Sequence, residues 1–182
     1  MGEWFQAVAD RDATEENAPA LATTIYNWLV GEGIISGAPR DCVLGSDVGY
    51  PPGPHYEKAV SEPFEGILTL RTNGLEIFTK RTVFACPQGP PELVCSACSA
   101  RCEPPDAWSA AINNWYSHGG PGLLTCPRCE NVRSIADWEH DPPWAFANLG
   151  FEFWNWPPMT AEFVQAIGTR LGHRVVLVAG KL

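Results

Sequence analysis

Two Cys-x-x-Cys pairs constrain this chain more than any other feature of its sequence: Cys95 and Cys98 in ELVCSAC, and Cys126 and Cys129 in LLTCPRC. A tight turn between paired cysteines lets both sulfurs point the same way, while backbone amides donate hydrogen bonds to them. Four thiolates complete the tetrahedral coordination of zinc, with Zn–S distances of about 2.3 Å. The spacing therefore predicts a Zn²⁺ site held by these four cysteines. Rubredoxin-like iron is the less favoured alternative, because Cys-Pro-Arg-Cys also suits iron.

Two other side chains near these pairs are candidate ligands. Cys102 lies close enough in the sequence to compete for the same metal, but we interpret it as a spare thiol beside the site. His118 is a weaker candidate for replacing one of the cysteines. The histidines show neither His-x-x-x-His nor His-Glu-x-x-His spacing, so no second metal centre is predicted. A zinc ion held by four cysteines has no open position for water, so we expect a structural metal.

The charge of the chain narrows the class of partner. The 182 residues include 12 lysines and arginines against 21 aspartates and glutamates, which gives a formal net charge of −9. Nucleic acid is therefore a disfavoured partner, because its phosphates would be repelled. A basic protein, or a basic patch on one, would be attracted, and the attraction would mostly speed the encounter.

The cysteines and the N-terminal segment indicate the cellular compartment in which the protein is expected. Seven cysteines, an odd number, are better explained as metal ligands and buried thiols than as a disulfide framework. The segment MGEWFQAVADRDATEEN has no basic start followed by an apolar run, so we expect neither a secretory signal nor an anchor. No stretch approaches the roughly 18 apolar residues of a spanning helix. We therefore expect a cytoplasmic protein with no membrane partner.

The first half of the chain contains three recognisable patterns. Apolar residues at helical spacing predict an amphipathic helix over 17–33. The segment DCVLG, at 41–45, is typical of a short buried strand, and a Gly/Pro loop with a short helix follows over 46–60. Asn73-Gly74 is typical of a type I′ turn between two β-rich runs, so a β-hairpin is predicted over 66–84.

The middle of the chain changes character. Residues 86–133 are rich in Pro, Gly and Cys, and they resemble a zinc ribbon with the two cysteine pairs as its knuckles. The interval 99–125 between the pairs is longer than in common ribbons. The segment DAWSAAINNWYS has helical apolar spacing, so a helix over 106–117 is predicted to fill this interval. We therefore expect an inserted module.

The last third returns to regular structure. A strand is predicted over 151–156, a helix capped by Thr160 and ended by Gly172, and a final strand over 174–180. Residues 1–182 are thus predicted to form a single α+β domain. Its helices should pack on a mixed or antiparallel sheet that carries the zinc-ribbon-like insertion.

The segment WAFANLGFEFWNW contains three tryptophans, Trp144, Trp154 and Trp156. On a strand, Trp154 and Trp156 would lie on one face and Phe151 and Phe153 on the other. If the tryptophans are exposed, we expect them to form an interface with a partner. The alternative is a strand buried on both faces.

The segments GLLTCPRC, DPPWAFANLGFEFWNWPP and LGHRVVLVAGKL together resemble a family of uncharacterised bacterial proteins of about this length. Its members share the DCVLG segment, the Pro/Gly loop, two Cys-x-x-Cys knuckles and a C-terminal FWNWPP and LGHRVVLVxGKL signature. The resemblance covers nearly the whole chain. It implies a coherent domain with a metal site and names no reaction. Some members carry transport-ATPase labels, for which this chain has no phosphate-binding loop.

Three functions are compatible with these observations. The favoured one is a protein-binding module with a structural zinc, of the toxin-immunity or inhibitor type, whose partner is a basic protein. The second is an enzyme with its active site in the loops 47–55 or 137–141, where histidine and carboxylate side chains occur. The third is a nucleic-acid-binding zinc ribbon, which would require lysines and arginines clustered on one face.

Overall fold

The computed structural model describes residues 2–182. These residues form three α-helices and eleven strands, and the strands are arranged in four sheets. The helices are α1 (Ala18–Gly31), α2 (Trp108–His118) and α3 (Ala161–Leu171). The strands are β1 (Trp4–Asp10), β2 (Leu75–Phe78), β3 (Thr82–Phe84), β4 (Glu92–Val94), β5 (Arg101–Cys102), β6 (Leu123–Thr125), β7 (Val132–Ser134), β8 (Glu139–Asp141), β9 (Ala145–Ala147), β10 (Leu149–Trp154) and β11 (Val175–Lys181). Across residues 2–182, no helix combines the length and the apolar character that crossing a bilayer requires.

The central sheet has four strands in the order β11-β1-β10-β2, and every neighbouring pair is antiparallel. Along the chain, the elements of this sheet and its two helices follow in the order β1-α1-β2-β10-α3-β11. This succession and this strand order are those of the ferredoxin-like, split β-α-β arrangement. The predicted α+β class, with helices on an antiparallel sheet and a cysteine-containing insertion, is confirmed.

Helices α1 and α3 cover one face of the central sheet. The core between them contains Ile25 and Leu29 from α1, Phe163 and Ile167 from α3, and Phe151 from β10. The predicted boundaries of both helices are confirmed to within a few residues. Helix α3 begins where the hydroxyl of Thr160 accepts a hydrogen bond from the amide of Phe163, at 3.1 Å. It ends at Gly172, whose φ of 71° is the left-handed conformation that glycine favours.

The opposite face of the sheet is also covered. Strands β3 and β9 pair with each other and lie over it, together with the loop at Cys42 and Val43. Gly150 of β10 sits directly under the ring of Phe84, and a Cβ atom at Gly150 would lie only 2.2 Å from that ring. Only glycine allows this approach. The central sheet is therefore buried on both faces.

The inserted module lies between β2 and β10 in the chain and has its own core. It consists of the sheet β5-β4-β8, the hairpin β6-β7 and the helix α2. Strand β9 joins the two parts of the molecule, because Phe146 enters the core of the module while Ala145 and Ala147 face the central sheet. Strand β8 pairs with β4, so the module's sheet continues beyond the residues 86–133 identified from the sequence.

The hairpin predicted around Asn73-Gly74 is wrong. Residues Glu65–Thr69 form a 3₁₀-helix, and β2 pairs with β10 instead of with a preceding strand. The amides of Asn73 and Gly74 both donate to the carbonyl of Cys42, at 3.0 and 2.7 Å. A Cβ atom at Gly74 would lie 2.3 Å from the Cys42 sulfur, so the glycine provides space here and not a turn.

The strand predicted at DCVLG, 41–45, is also wrong. These residues form bends outside the sheets, although Cys42 and Val43 are buried as predicted. Their apolar side chains pack on the second face of the central sheet, while the Cys42 carbonyl accepts hydrogen bonds from the loop before β2. The apolar run thus marks a buried loop, because its backbone bonds are made by another loop rather than by a neighbouring strand.

Candidate metal centre

Each Cys-x-x-Cys pair occupies the turn of a short hairpin, the first between β4 and β5 and the second between β6 and β7. The two turns repeat one hydrogen-bond pattern. The amide of Cys95 donates to the Ala100 carbonyl, and the amide of Ser99 donates back to the Cys95 carbonyl, at 2.9 and 2.8 Å.

The second turn makes the same bonds at the same relative positions. Cys126 donates to Asn131 and Glu130 donates to Cys126, both at 2.9 Å. Two segments with different residues between their cysteines therefore adopt the same local fold.

The residue after each second cysteine has an unusual backbone. Ser99 and Glu130 have φ angles of 57° and 58°, in the left-handed region that residues other than glycine seldom occupy. This conformation reverses the chain immediately after the knuckle. Within the first knuckle, the amide of Ala97 donates to the Cys95 sulfur at 3.4 Å.

The four sulfur atoms of Cys95, Cys98, Cys126 and Cys129 all lie within 4.8 Å of one another. Two of the edges of this group measure 3.9 Å, from Cys95 to Cys129, and 3.8 Å, from Cys98 to Cys126. A tetrahedron of sulfurs at about 2.3 Å from a central ion has edges of about 3.8 Å. A disulfide would require about 2.05 Å. The donor set and its spacing therefore fit one tetrahedral metal ion.

The surroundings of the sulfurs shift the pKa values of two of the four thiols in opposite directions. Backbone amides of Cys129 and Arg128 donate to the Cys126 sulfur and lower the pKa of its thiol to about 6. The amide of Ala100 acts in the same direction on Cys98, but desolvation and the other three sulfurs outweigh it and raise the pKa of Cys98 to about 12. Four adjacent thiols cannot all ionise without a cation, and a bound metal ion would supply that charge.

The cluster includes neither of the other candidate ligands. Cys102 is on β5, opposite Leu93, and desolvation together with the charges of Cys126 and Cys95 raises the pKa of its thiol. It is therefore a neighbour of the cluster. His118 is exposed at the end of α2 and contacts Asn113, at 3.2 Å. Cys42 and Cys86 are buried as free thiols.

The module's core supports the knuckles from one side. Cys95 and Cys126 are buried in it with Trp108 and Trp115 of α2, so the predicted helix fills the interval between the pairs. Cys98 and Cys129 are exposed. The sulfur cluster thus lies at the outer end of a small apolar core.

Two arginines attach the module to the rest of the molecule. Arg11, directly after β1, donates to the carbonyls of Ala136 and Trp138, at 3.0 and 3.2 Å. Arg81, between β2 and β3, donates to the carbonyls of Trp115 and Gly120, at 2.9 and 2.8 Å. Because a guanidinium group presents several donors in a rigid plane, each arginine holds two backbone groups at once.

The three tryptophans considered as an interface have other roles. Trp154 and Trp156 are only 5% and 4% exposed, so the condition for a surface row is not met at these two positions. Trp156 donates from its indole nitrogen to the Asn73 carbonyl at 2.8 Å, which anchors the loop before β2. Trp144 is partly buried and packs on Trp108, with ring centroids 6.0 Å apart. The alternative of a strand buried on both faces matches β10.

The acidic side chains of the loops considered for catalysis are exposed. Asp47 and His55 are exposed, and His55 faces Glu57 at 3.4 Å. In the second loop, Glu139 pairs with Arg11 at 2.9 Å and Asp141 pairs with Arg101 at 3.0 Å. These carboxylates take part in ion pairs on the outer surface of the module.

A buried Asp–His pair escaped the sequence analysis. Asp10 is 1% exposed, and its carboxylate accepts hydrogen bonds from the amides of Asp12 and Ala13 and faces Nδ1 of His173 at 2.8 Å. The pair joins the end of β1 to the start of β11, which are neighbours in the sheet but distant in sequence. No sequence spacing could have revealed it, because 163 positions separate the two residues.

Comparisons of the chain with protein-family models, with curated proteins and with solved structures found no match.

Proposed function

We propose that this chain is a cytoplasmic protein-binding module whose inserted ribbon is held together by a structural Zn²⁺ ion. The observation that carries this proposal is the group of four cysteine sulfurs within 4.8 Å of one another, with edges of 3.8 and 3.9 Å. Four sulfurs fill a tetrahedral shell, which leaves no position for a substrate or an activated water. Zinc is favoured over iron because four-cysteine ribbon sites are its commonest structural setting.

Two further observations support the binding role. The net charge of −9 favours association with a basic protein, in agreement with a partner of the toxin or inhibited-enzyme type. None of the seven cysteines, all of which lie among the described residues, forms a disulfide, which agrees with the proposed cytoplasmic location. The resemblance to bacterial proteins with the FWNWPP signature stays a prediction.

The alternatives have less support. For a nucleic-acid-binding ribbon, Arg128 and Arg133 are the nearby basic residues, and Arg133 is partly buried. The face of the central sheet opposite the helices is covered by β3 and β9, so it offers no open platform for bases. For an enzyme, the loop 47–55 supplies only the exposed Asp47 and His55, and in the loop 137–141 the exposed Glu139 and Asp141 already form ion pairs with arginines.

The metal is tested by native mass spectrometry and elemental analysis of the protein purified without added metal. We expect one zinc ion per chain. Replacing an exposed ligand, as in Cys98→Ser or Cys129→Ser, should abolish zinc binding and leave the core beneath α1 and α3 intact. Cys102→Ser is the matched control, since this thiol lies beside the cluster but outside it, and it should retain the metal. A metal-free native protein, or loss of zinc from Cys102→Ser, would contradict the proposed site.

The binding role is tested by the same spectra recorded on protein purified gently from the cytoplasm of its own source. We expect a mass corresponding to a complex with a basic protein. A zinc-loaded chain that carries no partner, together with an enzymatic activity that follows the carboxylates of the 137–141 loop, would favour the enzyme alternative instead.

A further inference from the structure

An apolar groove lies at the end of the central sheet where β1 begins and β10 ends, and we call it the Trp4 groove. Trp4, Phe64 and Leu70 line one hollow of about 400 Å³ together with Pro157. Leu70 also lines an adjoining hollow of about 460 Å³ with Leu44. Trp4, Phe64, Leu70 and Leu44 are 55%, 58%, 38% and 37% exposed. Contiguous exposed apolar side chains of this size commonly mark an interaction site.

The floor of the groove is rigid. Asn155, directly after β10, lines both hollows and has a φ of 56°, in the left-handed region. Its side chain accepts a hydrogen bond from the amide of Trp4 at 2.9 Å and donates to the carbonyl of Thr72 at 2.8 Å. It also donates to the carboxylate of Glu3. A groove held in this way binds a partner without first having to be ordered.

The rim of the groove is acidic. Glu3 lines both hollows and Asp41 lines one of them, while the exposed Glu62 and Glu65 flank Phe64 in the chain. The basic side chains in the same area are already engaged, because Arg71 pairs with Asp41 at 3.3 Å and the Lys181 ammonium lies 5.3 Å from the centre of the Trp4 ring. The groove therefore combines exposed apolar side chains with an excess of negative charge at its edge.

We propose that the Trp4 groove binds an amphipathic segment of a basic partner protein, in which apolar side chains are flanked by lysine or arginine. The apolar side chains would enter the hollows beside Trp4, Phe64 and Leu70. The flanking cations would lie near Glu3, Glu62 and Glu65, with the charge complementarity that steers such encounters. This inference rests on the proposed protein-binding function and places that function on one surface.

The charge argues against two other occupants. A second copy of this chain would bring two acidic rims together, and each copy carries a net charge of −9. An anionic membrane surface would repel the same acids, since interfacial segments that bind such membranes are usually basic. The groove is also remote from the cysteine cluster. Trp4 begins β1, whereas Arg11, at the far end of that strand about 20 Å away, holds the module.

The experiment uses the full-length, zinc-loaded protein labelled with ¹⁵N and a synthetic helical peptide of leucine and lysine with leucines on one face. We expect the peptide to shift the amide resonances of Trp4, Leu70 and Asn155 and to leave those of the module unchanged. A peptide with glutamate in place of lysine, and one with serine in place of leucine, should each bind at least about tenfold more weakly.

Matched variants locate the binding. Phe64→Ser and Trp4→Ser remove exposed groove side chains and should each weaken peptide binding about tenfold. Leu123→Ser and Val132→Ser serve as controls, because these side chains are 54% and 53% exposed on the module, and they should change the affinity less than about twofold. Reversing the rim charge in Glu62→Lys/Glu65→Lys should weaken binding and reduce its dependence on salt.

Three outcomes would overturn the inference: no peptide binding, equal losses in the groove and control variants, or a homodimer in solution that Phe64→Ser dissociates. The outcome for the proposed function is separate. If a basic protein co-purifies with the wild type and with Phe64→Ser alike, the protein-binding function stands and the groove assignment fails. If nothing co-purifies and the peptide does not bind, both fail.

Discussion

Glu152 is a carboxyl group on the buried central strand β10, directly opposite Glu76 on β2. Desolvation, followed by the negative charge of Glu76, raises the pKa of Glu152 to about 7. Desolvation also raises the pKa of Glu76. The folded state therefore holds a proton that the unfolded state releases at a lower pH, so this pair lowers the free energy of unfolding as pH rises through the interval from 4.5 to about 7.

We predict that Glu152→Gln stabilises the protein at pH values above 7, because it removes the buried charge and its repulsion of Glu76. The gain in the free energy of unfolding should be about 2 kcal/mol. It should shrink toward zero well below pH 7, where the wild-type carboxyl is already protonated. Denaturant titrations of both proteins across this range test the prediction, with the exposed Glu162→Gln as a control. A gain that does not change with pH would contradict it.

Asn73 is a fully buried polar side chain at the point where four segments meet. Its side-chain nitrogen donates to the Ile67 carbonyl at 2.6 Å, its side-chain oxygen accepts from Arg40 at 3.1 Å, and its own carbonyl accepts from Trp156. The Asn-Gly sequence that is typical of a tight turn therefore serves here as a buried hydrogen-bonding junction.

We predict that Asn73→Ala lowers the free energy of unfolding by about 2–3 kcal/mol, because it removes two hydrogen bonds of a fully buried side chain. The Ile67 carbonyl would keep only its bond from the Leu70 amide, and Arg40 would lose its acceptor. The exposed Asn27 on α1 provides the control, and Asn27→Ala should be neutral or slightly stabilising owing to the helix propensity of alanine. Thermal and urea unfolding of the two variants measure the difference. Equal stabilities would show that the local turn sequence, and not the buried junction, matters at this position.

At the level of the elements, short sequence patterns correctly predicted those features that depend only on residues close together in the chain. Thr160 and Gly172 mark the two ends of α3 because capping depends on residues within one turn of the helix. The knuckles could likewise be located from the cysteine spacing alone. Strand β1 could not be predicted, because Phe5 and Val8 face opposite cores and the strand therefore lacks simple alternation. The prediction of a hairpin was wrong because β2 pairs with β10, which is far away in the sequence.

Each knuckle is followed by one residue with a strained backbone, and replacing that residue with glycine should stabilise the protein. Ser99 and Glu130 occupy left-handed conformations. Ser99→Gly and Glu130→Gly should each raise the free energy of unfolding by about 0.5–1 kcal/mol, because glycine adopts this conformation without a steric cost.

Ala97→Gly is the matched control for these two changes. Ala97 lies in the first knuckle but outside the left-handed region, so glycine there should lower the stability through its greater freedom in the unfolded chain. Unfolding of the zinc-loaded proteins, followed at constant free zinc, measures all three. Destabilisation by both left-handed replacements would mean that the Ser99 and Glu130 side chains contribute contacts of their own.

At the level of the whole molecule, two cores with different origins of stability share one chain. The core beneath α1 and α3 is large and is built from helices and long strands. The core of the module is small, and two of its members, Cys95 and Cys126, belong to the sulfur cluster. Small cores usually need a metal or a disulfide to persist, whereas the larger one does not.

Removal of the metal should therefore affect the two cores unequally. We expect chelation to expose the backbone amides of β4 and β6 to hydrogen exchange, because four adjacent thiols without a cation no longer hold the knuckles together. The amides of β1 and β10 should keep their protection, since their hydrogen bonds lie in the central sheet. Strand β9 should respond to an intermediate degree, because Phe146 packs in the module while its neighbours pack on the sheet.

Hydrogen exchange followed by mass spectrometry, before and after chelation and again after zinc is restored, resolves these segments. After chelation, Arg11→Ala should increase hydrogen exchange in more of the module than is seen in the wild type, because Arg11 donates to the Ala136 and Trp138 carbonyls. In the metal-loaded variant, the amides of the central sheet should stay protected from exchange. Loss of protection in β1 and β10 at the same rate as in β4 would show that the metal stabilises the entire fold as one cooperative unit, and would contradict the separation into two cores.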